Sequence, residues 1–178
     1  MNTHSKIVPM HANPAKIPHF IRDVSGKYCS TKPLTDKQII KAATVLLNKK
    51  FIPGALLGSV DDTKTWLRIH YQDLEHEVFV CVFLNAKHCI ISHNVLFRGT
   101  IDGASVYPRE VVKLALKLNA AAVIFAHNHP SGFADPSPAD KAITLKLKES
   151  LNLIDIRVLD HFILGKESAF SFAEHKLI

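Results

Sequence analysis

Two imidazoles and a carboxylate stand close together in one short stretch of this chain. His127 and His129 are two residues apart, and Asp140 follows a Pro/Gly-containing loop, Pro130 to Pro138. Two neutral nitrogen donors and one anionic oxygen donor form the mixed set that a catalytic zinc takes. Structural zinc sites usually fill all four positions with Cys and His, whereas catalytic sites use three protein ligands and leave one for water. A zinc ion in such a place lowers the pKa of water to about 7 and makes hydroxide available at neutral pH. The same residues have a plainer reading. Ser137-Pro138-Ala139-Asp140 fits a helix start, with Ser137 as N-cap and an acid near the positive end of the helix, worth about 1 kcal/mol. The two readings are compatible, because a capped helix start also holds a ligand rigidly. Spacing alone leaves both open.

The elements that must carry these residues follow from periodicity. The apolar run Ala120–Ala126 leads directly into His127 and reads as a buried strand. In a strand, residues i and i+2 share a face, so His127 and His129 can present their rings side by side while Asn128 points the other way. Pro138 to about Leu151 reads as a helix capped by Ser137, which places Asp140 in its first turn. Upstream, Val78–Leu84 is an apolar run of strand length, and Cys89–Ser92 and Val95–Phe97 read as two further strands. A helix is expected from Pro108, with Val111, Val112, Ala115, Leu116 and Leu118 as its stripe. Ile156–Leu164 and Ala169–Phe172 read as the last two strands. The order β-β-β-α-β-α-β-β predicts an α/β fold, a mixed sheet flanked by helices. Before it, helices are expected over Asp36–Asn48 and from Asp61 to about Tyr71. Residues 1–33 contain Pro9, Pro14, Pro18 and Pro33 and read as loosely structured. Three segments result: a basic arm over 1–33, a small helical extension over 34–73, and a main domain over 74–178.

Composition narrows the partners. The net charge is +6, but residues 1–60 hold nine Lys/Arg against two Asp, so the basic excess lies away from the histidines. Such an arm attracts nucleic acid weakly or simply solubilises the chain, and no aromatics interleave with its cations as a single-strand platform needs. The longest uninterrupted apolar run has seven residues, too few to span a membrane. Three cysteines without a Cys-x-x-Cys pair argue against a disulfide framework and for a reducing cytoplasm.

The pattern His-x-His, seven residues, Ser, two residues, Asp is met by His127, His129, Ser137 and Asp140. It resembles the JAMM (MPN+/JAB) metalloprotease motif. Phe97-Arg98-Gly99-Thr100, Val106 to Glu110, Ala126 to Gly132 and Val158-Leu159-Asp160-His161 resemble the RadC-like branch of that family, and the likeness covers about Leu74 to Ile178. The resemblance implies a cytidine-deaminase-like sandwich and a zinc ion held by His127, His129 and Asp140. It implies a glutamate from an early strand as general acid/base, for which Glu77 is preferred and Glu75 stays open. It implies that Ser137 steadies a polarised carbonyl oxygen. His161 and Asp160 match the RadC-like pattern and are read as a partly buried strand-end pair, with support of the ligand imidazoles as the alternative. The activity implied is that of a zinc-dependent peptidase or isopeptidase acting on a protein or peptide. The other reading is a DNA-associated accessory protein with a structural or vestigial zinc. The helix-hairpin-helix region common in RadC-like proteins has no counterpart in residues 1–60, whose glycines are only Gly26, Gly54 and Gly58. A zinc nucleobase deaminase needs a glutamate where His129 stands, and a Pro-Cys-x-x-Cys pair, so that class is excluded.

Overall fold

The computed structural model describes residues 17–99, apart from 24 and 26, and residues 106–178. A short hairpin comes first, β1 (Phe20–Arg22) and β2 (Tyr28–Ser30), followed by helices α1 (Asp36–Lys50) and α2 (Val60–Tyr71). The main sheet comprises β3 (Val78–Leu84), β4 (Ile90–Arg98), β5 (Ala122–Asn128), β6 (Arg157–Leu164) and β7 (Ala169–Ser171). Helix α3 (Pro108–Lys117) lies between β4 and β5, and α4 (Pro138–Asn152) between β5 and β6.

The sheet order is β4-β3-β5-β6-β7. Only the β5–β6 pair is parallel, and α4 is its crossover; the other neighbours are antiparallel. Both central strands, β3 and β5, are buried along their whole length, which requires cover on both faces. Val78, Val80, Val82, Leu84, Ile124 and Ala126 meet Phe51, Trp66 and Leu67 from the α1–α2 side. Phe79, Cys81, Phe83, Val123 and Phe125 meet Val111 and Ala115 of α3 and Leu147 and Leu151 of α4. The result is the expected mixed sheet between helices.

Three sequence expectations need correction. Ile90–Arg98 is one strand, not two. Its pairing with β3 shifts register between Phe79 and Val80 and again between Phe83 and Leu84, and these bulges break the apolar alternation. The stretch expected to be loose contains the β1–β2 hairpin, with Phe20 opposite Ser30 and Arg22 opposite Tyr28. Its strands have only three residues and are largely exposed, so no alternation announces them; Pro9 and Pro14 lie outside the described residues. Third, β5 runs on through His127 and Asn128. The segments on either side of the expected boundary at 73/74 share one core, through Trp66 and Leu67 against β3.

Candidate metal centre

β5 delivers the first histidine by simple pleat geometry. His127 stands opposite Phe79 of β3 and on the same side as Phe125, the side covered by α3 and α4. His129 follows the strand end, where its backbone N–H donates to Leu164 O (2.9 Å). The loop then turns at Gly132, whose φ of 93° lies in the left-handed region that glycine enters without cost. Its carbonyl accepts Lys166 N–H at 2.9 Å. Gly165 presses on this loop so closely that an added Cβ would sit 2.5 Å from Gly132 O and 2.9 Å from Ala134 N. The loop between the histidines and α4 is therefore held against the β6–β7 turn.

Ser137 caps α4 as expected. Its Oγ accepts Asp140 N–H (3.1 Å) and donates to Asp140 Oδ2 (2.6 Å), and Oδ2 also accepts Ser137 N–H (2.8 Å). The cap aims the carboxylate at the histidines. Asp140 Oδ1 lies 3.1 Å from His127 Nε2, and Oδ2 lies 3.4 Å from His129 Nε2. The two Nε2 atoms are 3.0 Å apart. Among the described residues, His127, His129 and Asp140 are the group able to hold a metal ion, their donor atoms all within 4.8 Å of one another.

This crowding perturbs the carboxyl and one ring. Burial pushes the Asp140 carboxyl up, but the polar groups of His127, His129 and Ser137 packed against it outweigh burial and hold it well below the usual carboxylate range. The hydrogen bond to Asp140 raises the His129 pKa; burial opposes this, and the Phe133 carbonyl and the charges of Asp140 and Glu77 reinforce it. Two ring nitrogens and a carboxylate that converge in this way are able to hold a cation once the rings have given up their protons on the side facing it.

Glu77 immediately precedes β3 and lines the same cavity of about 300 Å³ as His127, His129, Ser137 and Asp140, with Phe79 and Ile143 among its apolar walls. Its carbonyl accepts Gly99 N–H at 2.8 Å, which extends the β3–β4 pairing by one step. Glu75 is exposed and does not line the cavity.

Two supports stand behind these residues; sequence reasoning missed the first and carried the second only as an alternative. Asn128, between the histidines, points to the opposite face as expected, and there it clamps the chain entering β3. Its Oδ1 accepts Val78 N–H (2.8 Å), and its Nδ2 donates to Leu74 O and His76 O (3.2 Å each). One strand thus places His127 toward the cavity and fixes the segment that carries Glu77. The second support is His161, which is not at a strand end but in the middle of β6, fully buried, with its Nε2 2.8 Å from His127 Nδ1. Burial, with the nearby His127, lowers the His161 pKa well below the ordinary value, so its ring is neutral. Asp160 points elsewhere and binds Ser171 Oγ and the backbone N–H groups of His161 and Ala173. The identity of residue 161 was visible in the sequence, but its partner lies 34 positions away, and no periodicity links them.

Residues 57–177 match the family model described as the RadC-like JAB domain. A UPF0758 protein of Vibrio cholerae is 47% identical over 156 residues, covering 88% of this chain and 96% of that protein. A UPF0758 protein of Thioalkalivibrio sulfidiphilus is 54% identical over 132 residues, which are 74% of this chain and 59% of the relative. One of Leptothrix cholodnii is 57% identical over 123 residues, 69% of this chain and 55% of the relative. The chain thus matches nearly the whole of the first and little more than half of the other two. The matched span carries the sheet, the convergent histidines and the capped aspartate, and by it this chain belongs to the RadC-like JAB domain family.

Proposed function

We propose that this protein is a zinc-dependent metallohydrolase of the JAMM peptidase or isopeptidase type, with His127, His129 and Asp140 as ligands. The observation that carries this reading is the convergence of two Nε2 atoms and one carboxylate on a cavity that Glu77 also lines. Two imidazoles and one carboxylate are an accepted catalytic zinc set. When bound, zinc supplies Lewis acidity and lowers the pKa of water to about 7.

The chain's own groups divide the remaining chemistry. Glu77 takes the proton of the attacking water and passes it to the nitrogen leaving the amide, general acid/base work that contributes 10² to 10⁴ in rate, roughly. Ser137 Oγ gives its one proton to Asp140 Oδ2 in this structure. Redirected to the carbonyl oxygen of the substrate, that donor is worth about 3 kcal/mol in the transition state. Phe79 and Ile143 exclude water from the cavity wall, which strengthens every polar contact within it.

The test is metal analysis of protein purified without chelators, followed by cleavage assays on peptide and isopeptide-linked substrates. Stoichiometric zinc is expected in the wild type, with loss in His127→Ala and His129→Ala. Protein without metal at neutral pH, or equal metal in the variants, overturns the assignment. No helix among the described residues is long and apolar enough to cross a membrane. All three cysteines are free, which supports a reducing compartment such as the cytoplasm.

The basic excess of residues 1–60 favours a second reading, a DNA-associated accessory role in which the zinc is structural or vestigial. It requires DNA affinity that falls steeply with salt and on removal of the arm. Affinity that survives the truncation excludes it.

A further inference from the structure

We propose that Thr144 and His161 are positioning residues: a one-way hydrogen-bond relay from the Asp140 carbonyl through Thr144 and His161 fixes His127 as the tautomer whose bare Nε2 faces the metal site. The inference rests on the metal-site reading above and concerns residues that the JAMM pattern does not contain.

The direction of each bond is forced. Asp140 O is a backbone carbonyl and can only accept, so the single hydroxyl proton of Thr144 goes to it. Thr144 Oγ1 then has only lone pairs to offer His161 Nδ1, 2.6 Å away. His161 Nδ1 must carry the proton. A neutral imidazole has one N–H, so His161 Nε2 is a lone pair, and it faces His127 Nδ1 at 2.8 Å. His127 Nδ1 must donate. In the neutral ring this leaves His127 Nε2 bare, turned toward Asp140 Oδ1 and His129 Nε2. His129 is anchored by a shorter route, since its Nδ1 donates to Phe133 O at 2.8 Å and its Nε2 is left facing the site.

The relay is rigid as well as directional. The His161 ring stacks on Phe172, with centroids 5.0 Å apart, and meets Phe79 and Phe125 edge-on at 5.4 and 5.9 Å. Thr144 lies one helical turn beyond Asp140 on α4, so the helix that supplies the carboxylate also supplies the start of the relay. Without the relay, His127 can place its proton on Nε2 and donate to Asp140 Oδ1. That arrangement closes the site with a proton and must be undone before a metal binds. Partners of ligand imidazoles typically contribute 10- to 100-fold in metal affinity.

The test uses the full chain with zinc and two readouts, zinc affinity by chelator competition and the tautomer of His127 by imidazole ¹⁵N NMR on metal-free protein. Thr144→Val removes the hydroxyl and keeps the shape; Thr144→Ser restores it. We expect Thr144→Val to weaken zinc roughly tenfold and to shift His127 toward the Nε2–H form, with Thr144→Ser close to wild type. His161→Gln, whose side-chain oxygen can still accept from His127, is expected to bind zinc more tightly than His161→Leu. A folded Thr144→Val with wild-type zinc affinity and an unchanged His127 tautomer overturns the proposal. If wild-type protein binds no zinc, the metal-site reading fails, and the NMR readout alone then decides the relay: Nδ1–H in wild type but not in Thr144→Val supports it, and an unchanged tautomer overturns it.

Discussion

Alternate residues of β3 and β5 face two different cores. Toward α1 and α2 the strands present Val78, Val80, Val82, Ile124 and Ala126, met by Trp66, Leu67 and Phe51. Toward α3 and α4 they begin the same way, with Phe83, Cys81, Val123 and Phe125, and then turn polar at one end. There His127, His161, Thr144 and Asp140 are buried together. Buried polar groups cost a few kcal/mol each unless they are paired. Among the described residues no buried side-chain polar atom lacks a partner. The two faces therefore differ in what their burial achieves. One holds the fold, and the other gives up apolar packing for a hydrogen-bonded cluster whose ring nitrogens and carboxylate converge on a cavity.

Substitutions on the two faces should separate these roles. The largest effect expected is from His127→Ala, which removes a ligand and strands the acceptor of His161; tight zinc binding is lost, as metal analysis after dialysis would show. Glu77→Gln should come next, retaining zinc while cleavage drops by 10² to 10⁴, roughly. A Glu77→Gln protein that cleaves at the wild-type rate would move the general base elsewhere. On the opposite face, Leu67→Ala should cost about 2–5 kcal/mol in denaturant unfolding, with zinc affinity unchanged in the folded fraction. If that variant also loses zinc, the two faces are not separable.

A smaller effect is set by pH. The His129 pKa is raised in the metal-free protein from an ordinary 6.5. Its stabilising contribution is therefore complete below 6.5 and lost as pH climbs through the folded value. Asp140 is depressed from 3.8, so its contribution is present above 3.8 and lost as pH falls through the folded value. The metal-free pair stabilises most between those limits. Zinc binding follows the opposite trend above pH 4, because the ion must displace the His129 proton. Affinity should tighten by up to about tenfold per pH unit until that proton is gone, measurable by competition at several pH values. The smallest effect belongs to the exposed Glu75: Glu75→Gln should leave stability within about 0.5 kcal/mol and leave cleavage unchanged.

Much of this was legible in the chain. Ser137 and Asp140 announced both a cap and a candidate ligand, and the carboxylate that closes the cap is also the one that faces His127. The run before His127 announced its strand. What was hidden was non-local or irregular. Ser92, His93 and Asn94 interrupt the apolar pattern of β4, an edge strand with bulges, so one strand reads as two. Asn128 reads only as the residue that faces away from the histidines until its three bonds to Leu74, His76 and Val78 are seen. His161 reads first as a partly buried strand-end residue, with support of the imidazoles only as the alternative, because the partner that decides between them comes from another strand.

The adjacency of His127 and Asn128 on β5 has a consequence for how this sequence can vary. The two side chains occupy opposite phases of a two-residue wave, and each phase has its own assignment. Deleting one residue from Ala122–Ala126 would invert the wave, turning the imidazole toward Trp66 and the amide toward the cavity, so that both assignments fail at once. Deleting two would restore the phase but retract the strand tip by about 6.6 Å. Length changes in β5 are thus forbidden by parity in one case and by reach in the other, while changes of apolar residue type at the same length remain open.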